Sequence, residues 1–571
     1  MHTSRRPPGL RGDPIMQTQF DVIVVGSGAS GGWAAKRLSE AGIKVALLEA
    51  GKPQGNADFT EHVPQYDLQY RDKASEWMRR TRPKQRDCYA CREWNYKWFA
   101  NDLEEPYTNP ADKPFSWQGR TRVVGGRTNV WGRQCYRLSE QDLKGKSFDG
   151  YGEDWPITYK ELVPYYELVE DYVGISGQAE NLPQLPDSRF RPAMPMSCAE
   201  TQLRTRVKDK LGWTVTIGRS ANITKPINGR GQCHYCGPCE HGCVTHSYFN
   251  AAFTTVADAL ATGNTTLITN AMVYKVLTDR NTNKATGVMY IDRVTREVKE
   301  VKARAVLLCA QALESARILF NSADGGLANS SGVLGHYLMD HTWVAGGASG
   351  EFPDTPAPKP SLGAARRPNG IYGIKMRNTM GGPRQKDYIR GFGFQGGGST
   401  SFRMNAPGYG QAFKKAVLDP LTSVNLVGFG EVLPRFDNFI ALDPNVVDKF
   451  GIPVLRITMS WGENEKKMIP DMAVAATAMM EAAGAKNIQP FTVLDRIPGY
   501  GIHEMGTARM GLDRKSSVLN SFLQTHDINN LYVMDASSFV SGGCQNPTLT
   551  IMALAVRGCD HLMEEMKKGN V

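Results

Sequence analysis

The 571-residue sequence has no uninterrupted apolar run of about 18 residues, so no helix is expected to span a membrane. Its most apolar late stretch, Leu549–Val556, stops at Arg557. It also lacks a long run of like charge. The 67 Lys and Arg against 57 Asp and Glu leave a net +10 dispersed along the chain, and with no nucleic-acid motif beside it this excludes nucleic acid as the expected partner. Eleven cysteines are too few for a disulfide scaffold in a chain this long. No apolar segment follows Arg5-Arg6, so an export signal is not expected, and Pro7, Pro8, Gly9 and Gly12 predict a disordered leader over residues 1–15. On its own sequence the chain is expected in the cytoplasm, or in the periplasm if a signal-bearing partner exports it. The length calls for two joined domains.

Against these absences stands Phe20–Gly51, FDVIVVGSGASGGWAAKRLSEAGIKVALLEAG. A β-branched run ends in Gly26-Ser-Gly28-Ala-Ser30-Gly31-Gly32, a helical pattern follows to Gly42, and a second apolar run ends at Glu49. Each part suits a dinucleotide. Gly26 makes the tight turn, Gly28 admits a pyrophosphate to the backbone, and Gly31 lets helix and strand pack closely; Ser30 lies in the same loop. The helix N-terminus offers free N–H groups to phosphate, and Glu49 is placed for a ribose hydroxyl. The stretch leaves open whether the dinucleotide is NAD or FAD.

Further along, Gly125-Gly126-Arg127-Thr128-Asn129-Val130-Trp131 is a glycine-rich turn that either approaches a planar ligand or is an ordinary loop. Helices are expected from about Thr158 to Val173, over Ala251–Ala261 and before Gly484, the last with a methionine-rich face read as core. Residues 346–411 are rich in glycine and proline and read as a long functional loop, a lid or a substrate loop. Antiparallel strands are expected over Val424–Leu433, Asn438–Leu442 and Val454–Ser460.

Three late segments are His503-Glu-Met-Gly506-Thr507-Ala-Arg509-Met-Gly511, the stretch around Asp535-Ala536, and Asn546-Pro547-Thr548-Leu-Thr550. With GSGASGG, VVGGRTNVWG, DWPITYKEL and NSSGVLGHYLMDH, they resemble the glucose–methanol–choline (GMC) family of flavin oxidoreductases over most of the chain. The resemblance implies an α/β fold: a Rossmann-like FAD-binding domain (16–150, 233–345, 496–571) and a discontinuous α+β substrate domain on an antiparallel sheet (151–232, 346–495). It implies FAD held by Gly26, Gly28, Ser30, Gly31, Glu49, Gly125, Gly126, Asn129, Val130, Asp535, Ala536, Asn546, Pro547 and Thr548. It makes His503 the base and Asn546 its partner, a His/Asn pair like that of the pyranose- and cholesterol-oxidising branches. Imidazole titrates near neutrality, so His503 can take the hydroxyl proton while hydride leaves for flavin. Covalently flavinylated relatives carry a histidine where this chain has Val130, so FAD is expected to be non-covalent. Gln395, Arg403 and Glu431 are polar residues that a sugar substrate would meet.

Cys233, Cys236, Cys239 and Cys243 have C-x2-C-x2-C-x3-C spacing, that of iron–sulfur ligands, with structural zinc as the competing reading. Cys233, Cys239 and Cys243 are also similar in spacing to the cluster cysteines of bacterial FAD-dependent glucose dehydrogenases. Over the whole chain the resemblance is to catalytic subunits of bacterial glucoside 3-dehydrogenases. It implies a [3Fe-4S] or [4Fe-4S] cluster, a sugar or glucoside substrate, a small subunit and a cytochrome c acceptor. The rivals are a sugar oxidase using O2 and a non-catalytic flavoprotein with a zinc-bound docking motif. Cys88 and Cys91 have no assigned role, and the five other cysteines read as small buried residues.

Overall fold

The computed structural model describes residues 20–72, 76–237, 239–355, 367–402 and 407–571; the leader and Arg403 fall outside them. The first layer is a sheet whose parallel part runs Thr265–Ile268, Val45–Leu48, Phe20–Val25, Val298–Leu308 and Leu531–Val533. Val22, Ile23 and Val24 are wholly buried, as expected of a parallel sheet whose two faces are both covered and both apolar. Helix Ala29–Glu40 packs between helices Thr255–Ala261 and Thr548–Lys567. The long strand Val298–Leu308 serves two sheets. Its second half pairs in parallel with Phe20–Val25, and its first half joins the antiparallel strands Lys284–Asp292 and Ala271–Asp279.

The second layer is a six-stranded antiparallel sheet ordered Lys486–Thr492, Gly346–Glu351, Pro420–Gly430, Phe392–Phe402, Ile371–Gly373, Val215–Ile217. Helices Glu463–Ala483 and Cys198–Leu211 cover one face. Met468, Met472, Met479 and Met480 are fully buried there with Val424 and Leu426. The alternate residues Asn425, Val427 and Phe429 face a cavity between the two layers.

Three sequence expectations change. The described residues of 346–411 form no lid: they supply three strands of this sheet. Its glycines are steric rather than flexible. A Cβ on Gly396 would stand 1.8 Å from the Asn425 carbonyl oxygen, one on Gly370 1.7 Å from that of Gly396, and one on Gly346 2.5 Å from that of Ile469. Helix Tyr159–Val173 and hairpin Phe439–Val447/Pro453–Thr458 were assigned by sequence to the second unit. They bury Leu162, Tyr166, Ile440 and Leu455 in the same core as Val22. Cys198 is exposed at a helix start, unlike the buried Cys135, Cys309, Cys544 and Cys559. Among the described residues no helix is long and apolar enough to cross a membrane.

Replacing Gly396 by alanine forces the two central strands apart and is expected to cost about 1–3 kcal/mol. Thermal unfolding measures it; an unchanged midpoint contradicts the close approach.

Candidate active site

The parallel strands all end toward one cavity of about 690 Å³. Gly26 follows Val25, Glu49 follows Leu48, Cys309 follows Leu308 and Asp535 lies two residues beyond Val533, so the cavity occupies the carboxyl edge where such sheets bind ligands. Most of the predicted ligand residues line it: Gly26, Gly28, Ser30, Glu49, Gly126 and Val130 from the first half, and His503, Asp535, Ala536, Asn546, Pro547 and Thr548 from the second.

Gly31, Gly125 and Asn129 do not line it and act from behind. A Cβ on Gly31 would fall 1.8 Å from the Gly26 carbonyl oxygen, which locks the glycine turn against its helix. Gly125 has φ 88° and donates to Ser27 Oγ at 3.0 Å. Asn129 is buried, donates to the Val124 and Gly126 carbonyls and accepts from Asn250 and Gln54, which ties the GGRTN loop together. Glu49 holds the opening loop in the same way. Its Oε2 accepts from Ser27 Oγ (2.6 Å) and Ser27 N (3.1 Å), and its Oε1 from Gly51 N (2.8 Å). Oε1, which accepts only from Gly51, keeps a further lone pair for a ribose hydroxyl.

The residues present fit a dinucleotide. Nothing lies within 4 Å of a Cβ built on Gly28, so the backbone there is open to a ligand. Helices Ala29–Glu40 and Thr548–Lys567 both begin at this cavity with no side-chain cap and no acid in the first turn. Two uncapped N-termini offer N–H groups and positive dipole ends to an anionic or electron-rich group.

At the reacting end, hydrogen bonds fix where each proton sits. His341 is 1% exposed, and its Nε2 lies 3.0 Å from the Gly543 carbonyl oxygen, so Nε2 carries the proton. Its Nδ1 is then a lone pair, 2.9 Å from His503 Nδ1, which must donate. His503 Nε2 is therefore a bare lone pair, facing Asn546 Nδ2 at 3.4 Å. Gln395 Nε2 donates to Asn546 Oδ1 at 2.5 Å. Burial holds the His341 imidazole neutral, its pKa lowered to about 4. Burial, then His341 and Arg127, keep His503 well below the usual histidine range. Asp340 accepts from the backbone N–H groups of Gly501 (2.9 Å) and His503 (3.0 Å) and fixes the loop that carries the imidazole. Burial, aided by Glu504, lifts the Asp340 carboxyl to about 7. Asp340, His341 and His503 bring their ligand atoms within 4.8 Å of one another, but these bonds already engage each of them.

His341 and Asp340 carried no assigned role in the sequence; the only signal was their place in NSSGVLGHYLMDH. Arg127 forms a bidentate pair with buried Glu504 (2.6 and 3.0 Å) beside His503. Trp343, Tyr89 and Phe429 form an aromatic wall of the cavity, with ring centroids 5.8 to 6.1 Å from one to the next. Glu431 leaves the list of substrate contacts. It is fully buried, paired with Arg390 at 3.3 Å and Lys375 at 3.9 Å, and does not line the cavity.

The cysteine loop borders the same cavity through Glu240. Cys239 and Cys243 are buried, Cys233 half-buried and Cys236 exposed. Backbone N–H groups of Tyr235 and Ser247 point at Cys233 and Cys243 sulfurs (3.4 and 3.3 Å), bonds that stabilise thiolate ligands. Burial raises the free thiols, Cys236 to about 11 and Cys239 to about 12, the latter opposed by Arg133. Among the described residues no three of these sulfurs come within 4.8 Å of one another. Cys88 also lines the cavity, and burial pushes its thiol up to about 11.

A glycine-loop nucleotide fold and a neutral His–Asn pair opening on one cavity define a dinucleotide-dependent oxidoreductase acting on CH–OH groups. Family models for GMC oxidoreductase match residues 20–343 and 434–555, and the chain belongs to that family, whose cofactor is FAD. It is 31% identical to 2-methyl-1,2-propanediol dehydrogenase of Mycolicibacterium austroafricanum, over 95% of either chain. The large subunit of fructose dehydrogenase of Gluconobacter japonicus is 27% identical over 96% of this chain and 98% of its own. The gluconate 2-dehydrogenase flavoprotein of Pantoea cypripedii is 26% identical over 96% and 94%. The crystal structure of pyridoxine 4-oxidase from Mesorbium loti shares the fold, with TM-score 0.60 and 17% identity over 96% of this chain and 99% of that one.

A base must be neutral to accept a proton, and His503 is held neutral to well below pH 6.5. The rate of substrate-driven flavin reduction is therefore expected to stay level from neutrality down past pH 6.5 and to fall only at lower pH. Stopped-flow measurement of kcat/KM against pH checks this; an inflection at or above 6.5 contradicts it.

Proposed function

We propose that this chain is an FAD-dependent dehydrogenase that oxidises a secondary ring hydroxyl, at carbon 3, of a sugar or glucoside to a ketone. The supporting observation is the bare His503 Nε2 facing Asn546 Nδ2 at 3.4 Å in the cavity that begins at the glycine loop. His503 takes the hydroxyl proton at Nε2. Asn546 donates to the same oxygen and holds the C–H bond in line for transfer. FAD, when bound, supplies the hydride acceptor. Val130 offers no nucleophile, so FAD is held without a covalent link.

Cys233, Cys236, Cys239 and Cys243 hold an iron–sulfur cluster in this proposal, supported by their spacing and by the N–H···S bonds to Cys233 and Cys243. Such a cluster supplies one-electron exit, so the enzyme is a dehydrogenase serving an external acceptor rather than an oxidase. The likeness to a protein named as a large subunit accords with a small subunit as partner; a cytochrome acceptor and export alongside a signal-bearing subunit are further parts of the proposal. A second reading, a small branched diol as substrate, has its support in the aromatic wall of Trp343, Tyr89 and Phe429 and in the relative named for 2-methyl-1,2-propanediol.

Anaerobically purified protein is expected to contain iron and sulfide beside flavin, and acid precipitation is expected to leave flavin in the supernatant. Zinc without iron, or flavin in the pellet, contradicts the assignment. Glucosides are expected to bleach the flavin, and His503→Ala to slow bleaching at least about 10²-fold with FAD retained. Equal bleaching by the variant overturns the role of His503.

A further inference from the structure

The hydrogen-bond chain at the reacting end does not stop at Asn546. Its direction is set at the Gly543 carbonyl, which can only accept, and every later link follows in turn: His341, His503, Asn546, Gln395. Gln395 spends an Nε2 proton on Asn546 Oδ1 at 2.5 Å, so its Oε1 is turned away from Asn546. That Oε1 makes no hydrogen bond within the protein among the described residues, and it is not a buried orphan either, since Gln395 is half-buried and lines the cavity. The amide is rigidly placed. Gln395 sits mid-strand in Phe392–Phe402, paired to Tyr372 on one side and Val427 on the other.

We propose that Gln395 reads a second hydroxyl of the substrate, the one vicinal to the hydroxyl that meets His503, by accepting its proton at Oε1. The inference rests on the proposed alcohol oxidation and narrows it to vicinal diols, of which a sugar ring is one kind. Gln395 is also a positioning residue. Its Nε2 proton keeps Asn546 Oδ1 turned away from His503, so that Asn546 presents an N–H and not a carbonyl to the substrate oxygen. A hydroxyl that donates to Gln395 cannot stand where it faces His503, so the same contact decides which of two neighbouring hydroxyls is oxidised.

The test uses the FAD-loaded enzyme, anaerobic stopped-flow bleaching, and the pair trans-cyclohexane-1,2-diol and cyclohexanol. The wild type is expected to favour the diol by about tenfold or more in kcat/KM. Gln395→Leu removes both functions and is expected to bring the ratio close to one while slowing both substrates. Gln395→Glu keeps an acceptor for the second hydroxyl and loses the donor to Asn546, so the ratio is expected to persist while kcat falls for both. FAD absorbance and melting temperature of the variants verify that each is folded. A wild-type ratio near one, or a ratio that survives in Gln395→Leu, overturns the inference while leaving alcohol oxidation standing. No bleaching by any diol, sugar or mono-ol overturns the oxidation itself, and this inference with it.

Discussion

The site depends on one contact, the 2.9 Å approach of His341 Nδ1 and His503 Nδ1. Two imidazole nitrogens at that distance cannot both carry protons, and two lone pairs would repel. The Gly543 carbonyl breaks the symmetry by requiring a proton on His341 Nε2. From that single constraint follow the tautomer of His503, the bare Nε2 beside Asn546 and the orientation of both amides beyond it. Burial supports the arrangement, since it keeps both rings neutral. Histidine serves here as a relay of fixed hydrogen-bond direction, accepting from His503 and donating to Gly543.

The two layers have separate tasks with respect to that contact. The parallel sheet carries the nucleotide loop and, through Asp535 and helix Thr548–Lys567, the start of the segment that bears Asn546. The antiparallel sheet brings Gln395 and Phe429 to the other side. Residues 503 and 546 are therefore held by one layer and aimed by the other. The loop Gly543–Asn546 is secured between them: Gln545 donates to buried Asp142 at 2.9 Å, and Asp142 in turn takes a hydrogen bond from Lys375 at 3.2 Å. Deep burial makes such a cluster costly to disturb, because removing one charge strands the others.

The nucleotide unit was legible in the sequence because each of its parts obeys a local rule. The apolar run Asp21–Val25, the turn glycines and Glu49 lie within one short stretch, and the family resemblance located His503 and Asn546. What escaped was non-local. His341 offers no periodicity and no spacing to His503; the fold brings them together from 162 positions apart. Residues 346–411 read as loop because glycine usually signals flexibility. Here it signals contact, with strand backbones so close to neighbouring carbonyls that a methyl group does not fit at Gly370 or Gly396. Glu431 was a plausible sugar contact by type alone, and only packing shows it neutralised by Arg390 and Lys375. Composition signals a residue's chemistry, but not whether that chemistry is already spent on a partner.

The proton positions on the two imidazoles are the central claim, and nitrogen-15 NMR of histidine-labelled holoenzyme at neutral pH reads them directly. The account predicts His503 protonated at Nδ1 with Nε2 bare, and His341 protonated at Nε2, with loss of the His503 signals in His503→Ala giving the assignment. A proton on His503 Nε2, or a charged His341, would contradict it.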